Sequence, residues 1–80
     1  MAYHLNKIEK GIIGEFSKIT EEYLELQDAF EQEDKVLQII ELTDLIGAIE
    51  LFAENKFKLS LDDLITFSKK TINSRRHENQ

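Results

Sequence analysis

The chain has 80 residues, no cysteine and no proline, and its 16 acidic residues outnumber 10 basic ones, giving a formal net charge of −6. That balance argues against a surface that binds a nucleic-acid backbone or an anionic membrane. No apolar run approaches the roughly 18 residues of a membrane span, and no leader-like segment opens the chain, so we expect a cytoplasmic protein.

Small size limits how much core this chain can bury. A domain of this length buries only about 60% of the surface that its unfolded form exposes. Because no disulfide is available, a metal or self-association is the remaining route to stability. We therefore expect a homodimer or homotetramer.

The first 30 residues contain an arm and a helix. Residues 1–14 include apolar residues but end in Gly11-Ile12-Ile13-Gly14, which interrupts a helix, so we expect a short helix or an extended arm. The first confident helix runs from about 15 to 30, because its apolar residues recur at spacings of three and four. These residues are Phe16, Ile19, Tyr23, Leu26 and Phe30.

Two more helices follow. Residues 31–34 form a short connection in which Asp34 can cap the next helix. That helix, from about 35 to 54, is apolar around most of its circumference and must be covered on several sides. Ser60 and Asp63 resemble a capping box that starts a third helix, so residues 15–74 form the helical domain. Residues 75–80 lose the periodicity, and we expect them to fray.

This order of elements predicts an all-α fold. It consists of a helical hairpin plus a third helix, and it assembles as a four-helix-bundle-type homo-oligomer.

Two acidic pairs interrupt the apolar pattern of the hairpin. Glu22 and Glu25 lie beside the apolar stripe of the first helix, and Glu41 and Asp44 point from the second helix to where a core should be. Each pair has i,i+3 spacing, so four carboxylates can meet at one place. Burying them together is costly unless a cation offsets the charge, and oxygen-only ligation suits Mg²⁺ or Mn²⁺. The alternative is that these acids simply face solvent.

The same residues carry a family resemblance. Glu-Glu-x-x-Glu at 21–25, followed after fifteen residues by Glu-x-x-Asp at 41–44, resembles the signature of MazG-like proteins of the all-α nucleoside triphosphate pyrophosphohydrolase superfamily. The resemblance covers roughly residues 15–54, and the third helix fits by position rather than by motif.

The resemblance implies Mg²⁺-dependent cleavage of a nucleoside triphosphate between the α and β phosphates, which yields the monophosphate and pyrophosphate. It implies that Glu22, Glu25, Glu41 and Asp44 are the metal ligands. It also implies that Glu21 and Glu22 are the catalytic residues. Glu21 would orient water or support the ligands, and Glu22 would act through the metal. Lys18 matches a commonly basic position that would bind substrate.

The basic end of the third helix supplies further candidates. We identify no counterpart of the Asn-x-Lys-Phe-like element that often contacts nucleotide in this family, so Lys69, Lys70, Arg75 and Arg76 are candidate phosphate contacts. The alternative is that they only complement the dipole at a helix end. His4 and His77 lack the Glu-x-x-His spacing of di-iron bundles, and we expect both to be surface residues without a role.

Two rival functions remain open at this point. One is a non-catalytic helical interaction protein with the same fold and a metal-stabilised core. The other is an acidic partner-binding module without a metal.

Overall fold

The computed structural model describes the backbone of residues 4–78 and the side chains of residues 4–73. It contains three helices, α1 (Phe16–Glu31), α2 (Lys35–Phe57) and α3 (Leu61–Glu78), and no strand in the described range. The all-α prediction is confirmed. None of the described helices is both long and apolar enough to cross a membrane.

Helices α1 and α2 form the predicted hairpin. The backbone N–H of Leu37 donates to Asp34 Oδ1 at 3.0 Å, so Asp34 is the predicted N-cap of α2. At its other end, α2 extends three residues beyond the predicted limit of 54. Lys58 closes it there in a left-handed conformation (φ 57°), and its N–H donates to the carbonyl oxygen of Glu54.

The predicted capping box starts α3. The Asp63 N–H donates to Ser60 Oγ at 3.0 Å, and the Ser60 N–H donates to Asp63 Oδ2 at 2.9 Å. Among the described residues, α3 packs against α2 and not against α1. The backbone stays helical to residue 78, although the sequence pattern predicts a tail from residue 75.

Residues 4–14 form an arm without helix. It turns into α1 at Gly14, whose φ of 86° favours glycine. The Gly14 carbonyl accepts from Asn55 Nδ2 at 2.9 Å, and Glu15 pairs with Lys56 at 3.0 Å. These contacts fasten the start of α1 to the end of α2.

Acids dominate the buried interior of this single chain. Within the described side chains, the fully buried apolar residues are Ala29, Ala48 and Ala53, and the buried polar or charged residues are Glu21, Glu22, Asp28 and Glu41. Larger apolar side chains remain exposed on every helix, including Phe30 on α1 (67% exposed) and Phe67 on α3 (52%). One chain therefore leaves most of its large apolar side chains in contact with water.

Candidate metal centre

The hairpin brings the predicted acids together. In two overlapping groups, one oxygen from each carboxylate lies within 4.8 Å of the others. The groups are Glu21, Glu22 and Glu25, and then Glu22, Glu41 and Asp44. Glu22 belongs to both groups because it lies where α1 faces α2. The structure thus gathers all four predicted ligands, while ligation itself stays a prediction.

Two of these carboxylates are buried without enough hydrogen-bond donors. Glu22 and Glu41 are only 5% and 6% exposed, and the Oε2 atom of each finds no hydrogen-bond partner among the described residues. A buried carboxylate oxygen without a donor is unfavourable, and a divalent cation would satisfy it. Asp44 is exposed, so the group opens to solvent on the α2 side. These features fit a hard cation bound by oxygen ligands.

The pKa values in the cluster fit the same interpretation. Burial raises the pKa of Glu22, and its hydrogen bond with Glu25 raises it further. Burial is also the main cause that raises the pKa of Glu25, with Glu41 adding to it. The pKa of Glu41 is raised by burial and by the charges of Asp44 and Glu22. Metal binding would therefore displace protons from these acids.

Lys18 lies at the edge of the cluster. Its Nζ is 3.1 Å from Glu21 Oε1 and 3.1 Å from Glu22 Oε1. These hydrogen bonds, first to Glu22 and then to Glu21, raise the pKa of Lys18. The predicted substrate-binding lysine is therefore next to the cluster, but it already neutralises two of its acids.

Glu21 differs from Glu22 and Glu25 because its carboxylate also accepts a backbone N–H. Its Oε1 accepts from the Gly11 N–H at 2.7 Å and from Lys18 Nζ, and Lys10 lies 3.8 Å from its Oε2. Burial acts to raise its pKa, but the Gly11 N–H and the Lys18 ammonium hold that pKa below its ordinary value. An acid held ionised in this way is a weak base. Of the two roles predicted for Glu21, its geometry suits support of the ligands better than orienting water, because its carboxylate positions Lys18.

His4 is the residue that the sequence interpretation missed. We expected it to be a surface residue without a role, but the arm folds back along α1 and leaves His4 only partly exposed, in contact with two acids. His4 Nε2 lies 3.3 Å from Glu25 Oε1, and His4 Nδ1 lies 3.9 Å from Asp28 Oδ1. The distance along the chain between His4 and these two acids follows no motif. The side chain of His77 lies outside the described residues.

Among the basic candidates of α3, the two described side chains form no ion pair with the acids. Lys69 and Lys70 are exposed on a helix that packs against α2 alone in the described part of the chain. The side chains of Arg75 and Arg76 lie outside the described residues. A role for these four residues in binding phosphate stays a prediction.

Comparison with known proteins adds no family to this description: no family model, curated protein or solved structure matches the chain.

Proposed function

We propose that this protein is a Mg²⁺-dependent nucleoside triphosphate pyrophosphohydrolase, with Mn²⁺ as an alternative metal. It would cleave ribo- or deoxyribonucleoside triphosphates to the monophosphate and pyrophosphate, as the resemblance to MazG-like proteins implies. The observation that carries the proposal is the cluster in which Glu22 and Glu41 each bury an oxygen without a donor. Nucleoside triphosphates and Mg²⁺ occur together in the cytoplasm, where we place the protein.

The side chains divide the work around the proposed metal. Glu22, Glu25, Glu41 and Asp44 would hold the ion through carboxylate oxygens, and Glu22 could take part in two coordination groups because it belongs to both. A bound Mg²⁺ supplies the positive charge that neutralises the phosphates and polarises the phosphorus for attack by water. Lys18 provides a second positive charge at the edge of the cluster.

The exposed apolar surface supports the assembly part of the proposal. An open groove of about 410 Å³ runs between α1 and α2, and it is lined by Phe16, Ile19, Thr20, Tyr23, Leu45 and Ile49. A contiguous apolar surface of this kind marks an interaction site in soluble proteins. We propose that a second copy covers it, so that two hairpins form a four-helix core in a homodimer or homotetramer.

Product analysis tests the activity. Purified protein is incubated with a panel of nucleoside triphosphates and deoxynucleoside triphosphates plus Mg²⁺ or Mn²⁺. We expect monophosphate and pyrophosphate from the wild type and from the control Glu54→Gln, which removes an exposed acid from α2, the helix that carries Glu41. Glu41→Gln should give no product. Orthophosphate in place of pyrophosphate would show a different cleavage position and contradict the proposal.

The rival function is a non-catalytic interaction protein with the same fold. The amount of exposed apolar surface favours it, because a protein that binds other helices needs such a surface. It predicts that Mn²⁺ raises the melting temperature while no triphosphate in the panel is cleaved. An acidic binding module without a metal predicts no change in melting temperature with Mn²⁺ and no cleavage.

A further inference from the structure

The arm is held against α1 by two buried acids, two helical turns apart. Asp28 accepts hydrogen bonds from the backbone N–H groups of Leu5, at 2.8 Å, and Asn6, at 2.9 Å. At the other end, Glu21 accepts from the backbone N–H of Gly11 at 2.7 Å. Leu5 and Asn6 contact Asp28, whereas Gly11 contacts the earlier acid Glu21, so the arm runs antiparallel to α1. Because the donors are backbone groups, the acids on α1 set where the arm lies.

Docking of the arm on α1 places His4 beside the acidic cluster. Glu25 lies one turn before Asp28 on the same face of α1, and His4 Nε2 reaches Glu25 Oε1 at 3.3 Å. Glu25 in turn belongs to the group that contains Glu22. Among the described residues, His4 is the basic side chain in polar contact with Glu25, whereas Lys18 pairs with Glu21 and Glu22. Glu25 is therefore the point where the arm and the cluster meet.

We propose that His4 is a positioning residue of the metal centre: through the 3.3 Å contact of its Nε2 with Glu25 Oε1, it orients that carboxylate toward the cluster. The inference rests on the proposed metal-dependent function and adds the arm to its metal site. A flexible Glu side chain loses rotamer freedom when it binds a metal, and a partner that already fixes it removes part of that cost. Groups that orient ligands in this way commonly change metal affinity about 10- to 100-fold.

The proposal also requires the reverse effect. If arm docking strengthens metal binding, metal binding must strengthen arm docking by the same factor. The amide protons of Leu5 and Asn6 report docking directly, because both donate to Asp28. Their exchange with solvent should therefore slow when metal is added.

Mn²⁺ titration of the full chain by calorimetry tests the inference. His4→Phe keeps a ring and removes the donor, and we expect it to weaken Mn²⁺ binding about 10-fold. His4→Gln restores an N–H donor and should recover most of that loss. Lys7→Ala, a change at an exposed position of the arm, is the matched control and should bind Mn²⁺ like the wild type.

Each result either supports or overturns the role of His4. Equal Mn²⁺ affinity in wild type and His4→Phe overturns the role of His4 while the metal centre stands. Failure of His4→Gln to recover affinity overturns the polar contact with Glu25 as the cause. No Mn²⁺ binding by the wild type overturns both this inference and the proposed function. Hydrogen exchange at Leu5 and Asn6 in the wild type needs no variant, and rates that Mg²⁺ leaves unchanged would overturn the coupling between arm and metal.

Discussion

Glu41→Gln should have opposite effects on stability without and with metal. The side chain is 6% exposed, and glutamine keeps its shape while removing one negative charge from the cluster. Without metal, this change relieves repulsion from Glu22 and Asp44 and should stabilise the fold. With metal, it removes a proposed ligand and should abolish the stabilisation that the ion provides.

The geometry sets the size of the metal-free effect. Ligand oxygens of Glu22, Glu41 and Asp44 lie within 4.8 Å of one another. Two unit charges at that distance repel by about 3.5 kcal/mol at an effective dielectric constant of about 20. Retained protons and the exposure of Asp44 reduce this, so we expect a gain of about 1 to 2 kcal/mol. For a domain of this size, that gain raises the melting temperature by roughly 4 to 16 °C.

The metal effect has a comparable scale. A ligand at about 100 times its dissociation constant stabilises the folded state by about 2.7 kcal/mol. In the wild type, that corresponds to a rise in melting temperature of roughly 10 to 20 °C. Glu41→Gln should lose most of this rise, because a buried ligand oxygen has been replaced by a neutral amide.

Thermal denaturation in EDTA and in Mn²⁺ measures both effects. Glu54→Gln, an exposed change on the same helix, controls for the loss of one charge from an acidic protein. Two results would refute the reasoning. One is a lower melting temperature of Glu41→Gln in EDTA, and the other is a Mn²⁺-induced rise equal to that of the wild type.

Three further predictions use other features of the fold. In EDTA, stability should fall as pH rises above about 4.5 through the raised pKa values of the cluster, because the folded state there binds more protons than the unfolded one. Stability should also fall in stronger acid, because Glu21 and Asp28 protonate there through their lowered pKa values. A melting temperature that rises steadily to neutral pH would contradict the raised pKa values of the cluster. Gly47→Ala should stabilise the protein by about 1 kcal/mol, since a Cβ there meets nothing within 4 Å in this chain; a lower melting temperature would place a second copy against it. Tyr23→Arg should dissociate the assembly in light scattering, whereas Gln27→Arg, an exposed polar change on α1, should not; equal masses for both would argue against α1 as the interface.

Helix positions follow well from the sequence because local signals determine them. Asp34 and Ser60 cap α2 and α3 as predicted, since capping needs only a side-chain oxygen near the next few N–H groups. The end of α2 is less predictable. Lys58 adopts the left-handed conformation that glycine favours, so no glycine marks the true end of the helix.

The convergence of the four cluster acids was also predictable. Pairs at i,i+3 on two antiparallel helices need no information beyond the helical period and a short loop. The path of the arm was not predictable in the same way. The contacts of Leu5 and Asn6 with Asp28 join residues more than 20 positions apart through backbone N–H groups, which no side-chain pattern encodes. One signal was present and unused: Glu21, Glu25 and Asp28 share a face of α1 at i, i+4 and i+7.

Acids on α1 differ in proton affinity according to their hydrogen-bond donors. Glu21 and Asp28 accept backbone N–H groups from the arm, and their pKa values are lowered even though burial opposes this. Glu22 and Glu25 lie on the same helix but receive no backbone donor among the described residues, and burial raises their pKa values.

This division separates structural acids from proposed ligands on physical grounds. An acid that already has enough donors gains little from a cation, whereas a buried acid without them has a raised pKa and would be stabilised in its ionised form by a cation. Glu25 lies between the two kinds, because it contacts both His4 and the cluster. The arm and the proposed metal would therefore act on the same carboxylate, so a change in the docking of the arm should change metal affinity, and metal binding should change the docking of the arm.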